Sequence, residues 1–118
     1  MEDATVTITI EDVPSVPNLK IITIEGSLDA VTAEKVDLTV LPLMELEKIN
    51  IILDISKLDY LSSIGMLCLI KYFTMMTNKM RLIKFIKPPK LVFNSLEAAG
   101  IAKHFDMYDS TEAAMSSF

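Results

Sequence analysis

The sequence has no tryptophan, and its 118 residues include only one cysteine, one histidine and three glycines. The single cysteine, Cys68, excludes an internal disulfide and is typical of a reducing compartment, so we expect a cytoplasmic protein. With His104 as the single histidine, a hydrolase triad would have to recruit distant partners. No glycine-rich phosphate loop, Cys-x-x-Cys pair or metal-spaced cluster occurs. We therefore expect a protein that is not an enzyme, with no catalytic residue, metal site or cofactor.

Long apolar runs are also missing, although 51% of the residues are hydrophobic. Lys71 interrupts the longest apolar segment, which argues against a transmembrane helix. The acidic start of the chain is unlike a secretory signal. A net charge of −5 argues against a nucleic-acid surface. Five basic residues nevertheless cluster, and we interpret them as a solvated strand face with its flanks: Lys79, Arg81, Lys84, Lys87 and Lys90.

What the sequence does contain is an alternation of strand and helix patterns after an initial hairpin. The strand patterns fall at Thr5–Glu11, Leu19–Glu25, Ile51–Ile55 and Met80–Ile86, with a short edge strand at Asp106–Tyr108. Helices are expected after Gly26–Asp29, at Ser63–Thr77, from about Lys90 to Ala99 before Gly100, and after Ser110. This order predicts one α/β domain over residues 1–118, with a small, mixed, mostly parallel sheet of four or five strands packed by about four helices.

The first helix has its own start and stop signals. Gly26–Asp29 should turn the chain into it, and either Asp29 or Thr32 is the expected cap, with Glu34 complementing the dipole. Pro42 removes a backbone donor, so it should kink the helix or end it early with an irregular last turn. The expected buried stripe is Val36, Val40, Leu41, Leu43 and Leu46.

The stretch 51–78 organises the rest of the chain. Its strand, Ile51–Ile55, has a length suited to burial on both faces, and a polar connection at Ser56–Asp59 follows it. Two adjacent serines, Ser62 and Ser63, then precede a helix whose first backbone N–H groups are unpaired and whose positive dipole end accepts negative charge. Ser63 is therefore either a simple N-cap or a hydroxyl placed to carry added charge.

This second helix displays apolar side chains on its polar side. At about 100° per residue, one face should pack on the sheet: Cys68, Leu69, Tyr72, Phe73 and Met76. Leu67 lies on the opposite face, one turn beyond Ser63, with Met66 and Ile70 at the border. An isolated exposed leucine is common, but beside a modifiable hydroxyl a small apolar patch is typical of a docking surface. Phosphate on Ser63 would add about −1.5 to −2 charges and disrupt docking there.

Four patches in order carry a family likeness. They are Gly26–Ala30 with Thr32, Ile52–Leu58, Tyr60–Met66, and Leu96–Ile101 followed by Phe105 and Tyr108–Ala114. With these patches the chain resembles the anti-sigma factor antagonist family, that is, the STAS domain, over nearly its whole length. The resemblance implies the α/β fold predicted above.

The resemblance also implies a site. The family's serine loop typically reads Asp-Ser-(Ser/Thr/Ala)-Gly-Leu-Gly, with the first serine after the aspartate phosphorylated. That serine falls on Ser63, while Ser62 stands at the aspartate and Gly65 is kept. Ile64, Met66 and Leu67 replace the small residue, the leucine and the second glycine. The implied phosphorylation site is Ser63, with Ser62 as the alternative acceptor, and the implied partner-binding residues are Asp29, Ser62, Ser63, Ile64, Gly65, Met66, Leu67 and Ile70.

Family members bind an anti-sigma factor that is also an ATP-dependent serine kinase, phosphorylation releases them, and a phosphatase resets the switch. The resemblance therefore implies a bacterial-type partner-switching protein in transcription regulation, with those two proteins as partners and neither nucleic acid nor membrane insertion. Two alternatives stay open: a STAS interaction module without phosphorylation, and a small anion or nucleotide sensor that uses the Ser62–Gly65 amides. The oligomeric state is open between a monomer and a weak dimer.

Overall fold

The computed structural model describes residues 5–46 and 48–118. Within this part of the chain, six strands form one sheet: β1 (Val6–Asp12), β2 (Leu19–Leu28), β3 (Asn50–Asp54), β4 (Leu58–Leu61), β5 (Ile83–Ile86) and β6 (Met107–Tyr108). The α-helices are α1 (Ala33–Met44), α2 (Ser63–Asn78), α3 (Lys90–Ala98) and α4 (Thr111–Ser116), with a 3-10 turn at Ala102–His104. The acidic first residues, on which the comparison with a secretory signal rests, lie outside the described range.

The sheet is mixed and mostly parallel, as the sequence predicted. The strand order is β1-β2-β3-β5-β6, and β4 pairs with the far end of β2. β1 and β2 form an antiparallel hairpin, whereas every other pairing is parallel. β3 is the central strand, and its three middle residues are completely buried. The predicted fold class is therefore confirmed, with six strands where four or five were expected.

Both faces of the central strands are covered, which explains the continuous apolar runs. Along β3, Ile51 and Leu53 face a large cluster that includes side chains of α1, α2 and α3, whereas Ile52 faces a smaller one. The smaller cluster contains Ala114 of α4 and side chains from the β1–β2 loop. Side chains alternate across a strand, so one strand serves two cores.

The expected turn at Gly26–Asp29 is wrong for its first three residues, because β2 continues to Leu28. Gly26 permits this continuation. Its φ is +109°, and a Cβ there would lie 2.4 Å from the Thr5 carbonyl oxygen, so only glycine fits. At Gly26 the register with β4 shifts, and the extended end of β2 pairs with Leu58–Leu61. Part of the segment predicted as a polar connection is therefore a strand.

α1 matches its prediction in part. Thr32 occupies the N-cap position but makes no side-chain cap hydrogen bond. Pro42 lies inside the helix, which continues to Met44 and does not end early. The last turn tightens where the Leu46 N–H donates to the Leu43 carbonyl at 3.2 Å. Leu46 is exposed, and Met44 is buried in its place.

The end of α3 and the start of α4 are as predicted. After α3, Gly100 has a φ of +75°, and the N–H groups of Gly100 and Ile101 donate back to Glu97 and Leu96, which is a Schellman motif. The Ser110 hydroxyl accepts a hydrogen bond from the Ala113 N–H and caps α4.

The basic cluster is solvated only in part: Lys79, Lys87 and Lys90 are exposed, whereas Lys84, which lies within β5, is only 8% exposed. Its ammonium group donates to the Ser117 carbonyl at 3.1 Å and the Ser117 hydroxyl at 2.7 Å, and it lies 3.5 Å from the Asp106 carboxylate. The predicted strand from Met80 is also shorter than expected, since β5 begins only at Ile83.

Candidate functional site

Two strand ends bring the candidate site together. β2 and β4 run parallel, with Leu28 opposite Leu61, and the Ser62 N–H donates to the Leu28 carbonyl at 3.1 Å. Because the paired strands end together, Asp29 and Ser62 leave the same edge of the sheet at neighbouring positions. The turn before α1 and the start of α2 are therefore adjacent, as the resemblance implied.

Gly65 sets how closely α2 approaches the sheet. A Cβ on Gly65 would lie 2.2 Å from the Leu28 carbonyl oxygen and 2.7 Å from Leu61 Cδ1. Real Cβ atoms do not come that close to a backbone atom, so a larger residue would push the first turn of α2 away from β2. Gly65 is buried, and its contribution to the site is this close packing rather than an exposed contact.

The two serines have different environments. Ser62 is the N-cap of α2, and its hydroxyl oxygen accepts from the Gly65 N–H at 3.1 Å. Ser63 is the first helical residue and is exposed, and no side-chain hydrogen bond within the described residues involves it. The simple N-cap role therefore belongs to Ser62, and the Ser63 hydroxyl lies in solvent at the positive end of the helix dipole.

Asp29 shapes the turn that faces the serines. One of its carboxylate oxygens accepts from the N–H groups of Val31 at 2.9 Å and Thr32 at 3.1 Å. The Thr32 hydroxyl, in a nearly buried side chain, donates to the Ser27 carbonyl at 2.8 Å. These bonds fix the turn before α1, so the Asp29 carboxylate is held at a defined place.

Apolar side chains surround the exposed hydroxyl. Ile64 is 44% exposed and Leu67 is 60% exposed, while Met66 and Ile70 are partly buried against the core. On a helix of 3.6 residues per turn, Leu67 and Ile70 fall within about 40° of Ser63. Ser63 therefore lies at the end of a short apolar stripe on the outer face of α2, as the sequence predicted.

A polar cluster joins α1 to α2 further along α2, and no pattern in the sequence predicted it. Asp37 of α1 accepts from the Tyr72 hydroxyl at 2.5 Å and forms an ion pair with Lys71 at 2.7 Å. Burial, and then the hydrogen bond to Asp37, raise the pKa of Tyr72. Burial and the nearby Asp37 charge likewise raise the pKa of Cys68, whereas the nearby Lys71 charge lowers it by a smaller amount.

Other candidate chemistry is sparse. Within residues 5–46 and 48–118, no group of three or more His, Cys, Asp or Glu side chains is placed to hold a metal ion. Among the described helices, none is long and apolar enough to cross a bilayer. His104 is exposed at the end of the 3-10 turn. Asp54 accepts from the Ser56 N–H and hydroxyl, which caps the end of β3.

A family model of the STAS domain matches residues 8–114 of this chain. A search of curated proteins finds no match. The family is therefore assigned from the family model and not from a match to any single curated protein.

Solved structures share the fold at low sequence identity. An anti-sigma factor antagonist from Mycobacterium paratuberculosis has a TM-score of 0.78 at 18% identity, over 96% of this chain and 93% of its own. The Bacillus cell fate determinant SpoIIAA, in its phosphorylated form, has a TM-score of 0.71 at 14% identity, over 93% and 97%. The murine solute carrier 26 member A9 anion transporter has a TM-score of 0.75 at 16% identity, over 98% of this chain but 22% of the transporter.

Proposed function

This chain belongs to the STAS domain family, and from that premise we propose that it is an anti-sigma factor antagonist, a protein-binding switch that docks through the serine loop and α2 and is released by phosphorylation of Ser63. Its partner is an anti-sigma factor that is also a serine-protein kinase, and a phosphatase resets the switch. The fold is that of a binding module, so the chain itself carries out no catalysis. This role places it in the cytoplasm.

One observation carries the proposal: an exposed Ser63 hydroxyl, with no hydrogen bond to any described residue, begins a helix whose outer face displays Leu67. The apolar stripe supplies contact area that gains free energy when a partner removes it from water. The hydroxyl lies in the same patch, so a partner that covers the stripe also covers Ser63.

Phosphorylation changes the charge of this patch without refolding the domain. The kinase transfers the γ-phosphoryl group of ATP to the Ser63 oxygen, with loss of the hydroxyl proton and release of ADP. The product adds about −1.5 to −2 charges, which the positive end of α2 tolerates in water. In a closed interface the same charge must lose its hydration, which disfavours the bound state.

The environments of the two serines favour Ser63 as the acceptor over Ser62. The Ser62 oxygen already accepts the Gly65 N–H, and phosphorylation there would disturb the cap that begins α2. Ser63 has no such structural role, so its modification leaves the fold intact. The solved phosphorylated form of the Bacillus relative adds support, since a protein of the same fold carries this type of modification.

The test is a binding experiment with matched acidic substitutions on α2. Ser63→Asp should weaken capture of the partner from the native cell by at least about 30-fold, or about 2 kcal/mol, the scale of central interface residues. Thr74→Asp, on the same exposed helix face three turns away, is the control and should bind as the wild type does. Equal capture by Ser63→Asp and the wild type would refute the switch.

The kinase arm uses the captured partner with labelled ATP. Ser63→Ala should bind normally and accept no phosphate, whereas Ser62→Ala should still accept it. Label that persists in Ser63→Ala and disappears in Ser62→Ala would assign the acceptor to Ser62. If neither variant nor the wild type is labelled although the partner binds, the chain is an interaction module without phosphorylation.

The second candidate function is an anion or nucleotide sensor at the start of α2. The Ser62 side chain already uses the Gly65 N–H, which leaves fewer free amides for an anion. Saturable binding of phosphate or a nucleotide by the wild type, lost in Ser63→Asp, would favour this alternative over the protein-binding switch.

A further inference from the structure

Among the strands that the structure describes, β1 forms a long edge of the sheet with no strand paired to its outer side. Its outer side lies at the end of the strand order, and the opposite edge strand, β6, has only two residues. Residues 6–10 of β1 read Val-Thr-Ile-Thr-Ile, all β-branched, without proline or charge. Native edge strands are usually shortened, charged or interrupted to prevent pairing, and the middle of β1 has none of these features.

The direction of the backbone groups follows from the hairpin. The Thr5 carbonyl accepts from the Ser27 N–H of β2, and groups alternate along a strand, so odd-numbered residues point toward β2. The N–H and C=O groups of Ile8 and Ile10 therefore point outward. The Val6 carbonyl also points outward and accepts from the Lys35 side chain at 3.0 Å, which confirms the parity.

From this geometry we propose that β1 pairs with β1 of a second copy, in antiparallel orientation, and joins the two sheets into one. A strand meets its own copy across a two-fold axis, and the register that overlaps all seven residues of β1 places that axis at Thr9. Ile8 of one copy then exchanges both backbone hydrogen bonds with Ile10 of the other, and this pair occurs twice.

The side chains fit the same register. On the face of the sheet that α1, α2 and α3 cover, Ile10 is 41% exposed and meets the partly buried Ile8 of the second copy, which removes apolar surface from water. On the other face, Thr9 lies opposite Thr9, and Thr7 lies opposite Glu11. No like charges oppose each other among these residues.

Charge complementarity at the ends supports a second copy as the occupant. Lys35 is held at the outer edge beside Val6, and in this register Val6 lies opposite Asp12 of the second copy. The Asp12 side chain is 78% exposed although it pairs with Lys20, so it can accept a second cation. Two such Lys35–Asp12 contacts would flank the paired strands.

The interface is small. Two seven-residue edges bury less than about 1,200 Å², which is typical of weak, transient interfaces.

Sedimentation equilibrium of the whole chain, from about 10 to 500 μM, tests the association, and lysine substitutions test the register. Thr9→Lys places two lysines opposite each other and should raise the dissociation constant about threefold to fivefold. Thr7→Lys, on the same exposed face two residues away, meets Glu11 and should not weaken the dimer. A monomeric wild type over this whole range, or equal weakening by the two variants, would overturn the proposal.

Cysteine variants give a second measurement that does not depend on affinity. Thr9→Cys puts two thiols across the axis in a close, non-hydrogen-bonded pair, where oxidised glutathione should accept their electrons as the disulfide forms. Thr7→Cys is the matched control and should stay reduced or form far less covalent dimer, and the native Cys68 is buried. Equal crosslinking at both positions would contradict the register.

Discussion

At the scale of single residues, Gly65 does more for the site than any exposed side chain. It brings the first turn of α2 against the end of β2, where the Leu28 carbonyl oxygen occupies the place of a Cβ. Gly65 also donates the N–H that the Ser62 hydroxyl accepts, so this residue both packs α2 against β2 and completes the cap of α2. Because the obstacle is a backbone atom rather than a flexible side chain, the neighbour cannot move aside cheaply.

We predict that Gly65→Ala lowers the free energy of unfolding by about 1–3 kcal/mol, the usual cost of overpacking. Ile64→Ala, at the neighbouring exposed position, should change it by less than about 0.5 kcal/mol. Urea denaturation followed by circular dichroism measures both variants. Equal stability of the two would mean that α2 shifts freely away from β2.

Sequence reasoning could place Ser63 at the start of a helix, but it could not separate the roles of the two serines. The cap belongs to Ser62 because α2 begins at Ser63, and helix boundaries are uncertain by one or two residues in a pattern. The close approach at Gly65 is a long-range contact with Leu28, so no local signal around Gly65 announces it.

At the scale of elements, the helices with local signals were predicted well and the strands with distant partners were not. Gly100 ends α3 and Ser110 begins α4, each through hydrogen bonds to residues nearby in the sequence. β4, by contrast, is a strand only because the end of β2 lies beside it, and its burial does not alternate along the sequence. The ion pair between Asp37 and Lys71 was missed for the same reason, since the two residues are far apart in sequence.

The α1–α2 contact should make stability depend on pH above about 10. Folding raises the pKa of Tyr72, chiefly through burial and then through Asp37. The protonated Tyr72 hydroxyl therefore stabilises the folded state fully below the pKa of tyrosine in the unfolded chain, about 10. Above that value the unfolded state loses its proton first, and the free energy of unfolding falls by about 1.4 kcal/mol per pH unit.

Denaturation curves between pH 8 and 11 check this prediction, with Tyr72→Phe as the control. The variant keeps Cys68, whose raised pKa acts in the same direction, so the difference between the two proteins isolates the tyrosine. The wild type should lose stability more steeply than Tyr72→Phe above pH 10. Parallel curves would show that Tyr72 ionises as easily in the folded protein as in the unfolded chain.

At the scale of the whole molecule, the two faces of the sheet are closed by different means. α1, α2 and α3 cover one face with a large apolar cluster, whereas the short α4 covers the other together with the β1–β2 loop. α4 has six residues, too few to be stable alone. Lys84 helps to hold it, because its ammonium group binds Ser117 just beyond the helix and lies 4.8 Å from the centre of the Phe118 ring.

A double-mutant cycle tests this closure of the second face. Removing residues 117–118 takes away the two Ser117 acceptors of the Lys84 ammonium, which then keeps the Tyr108 hydroxyl at 3.3 Å and the Asp106 carboxylate at 3.5 Å. The loss should cost about 1–3 kcal/mol of stability, the scale of the penalty when a buried charged donor loses acceptors. Lys84→Met keeps the apolar length of the side chain and removes the charge, so truncation should cost less in that background. We expect a coupling of at least about 1 kcal/mol between the two changes from urea denaturation. Additive effects would mean that α4 is held by its apolar contacts alone and that Lys84 does not fasten the C-terminal segment to the sheet.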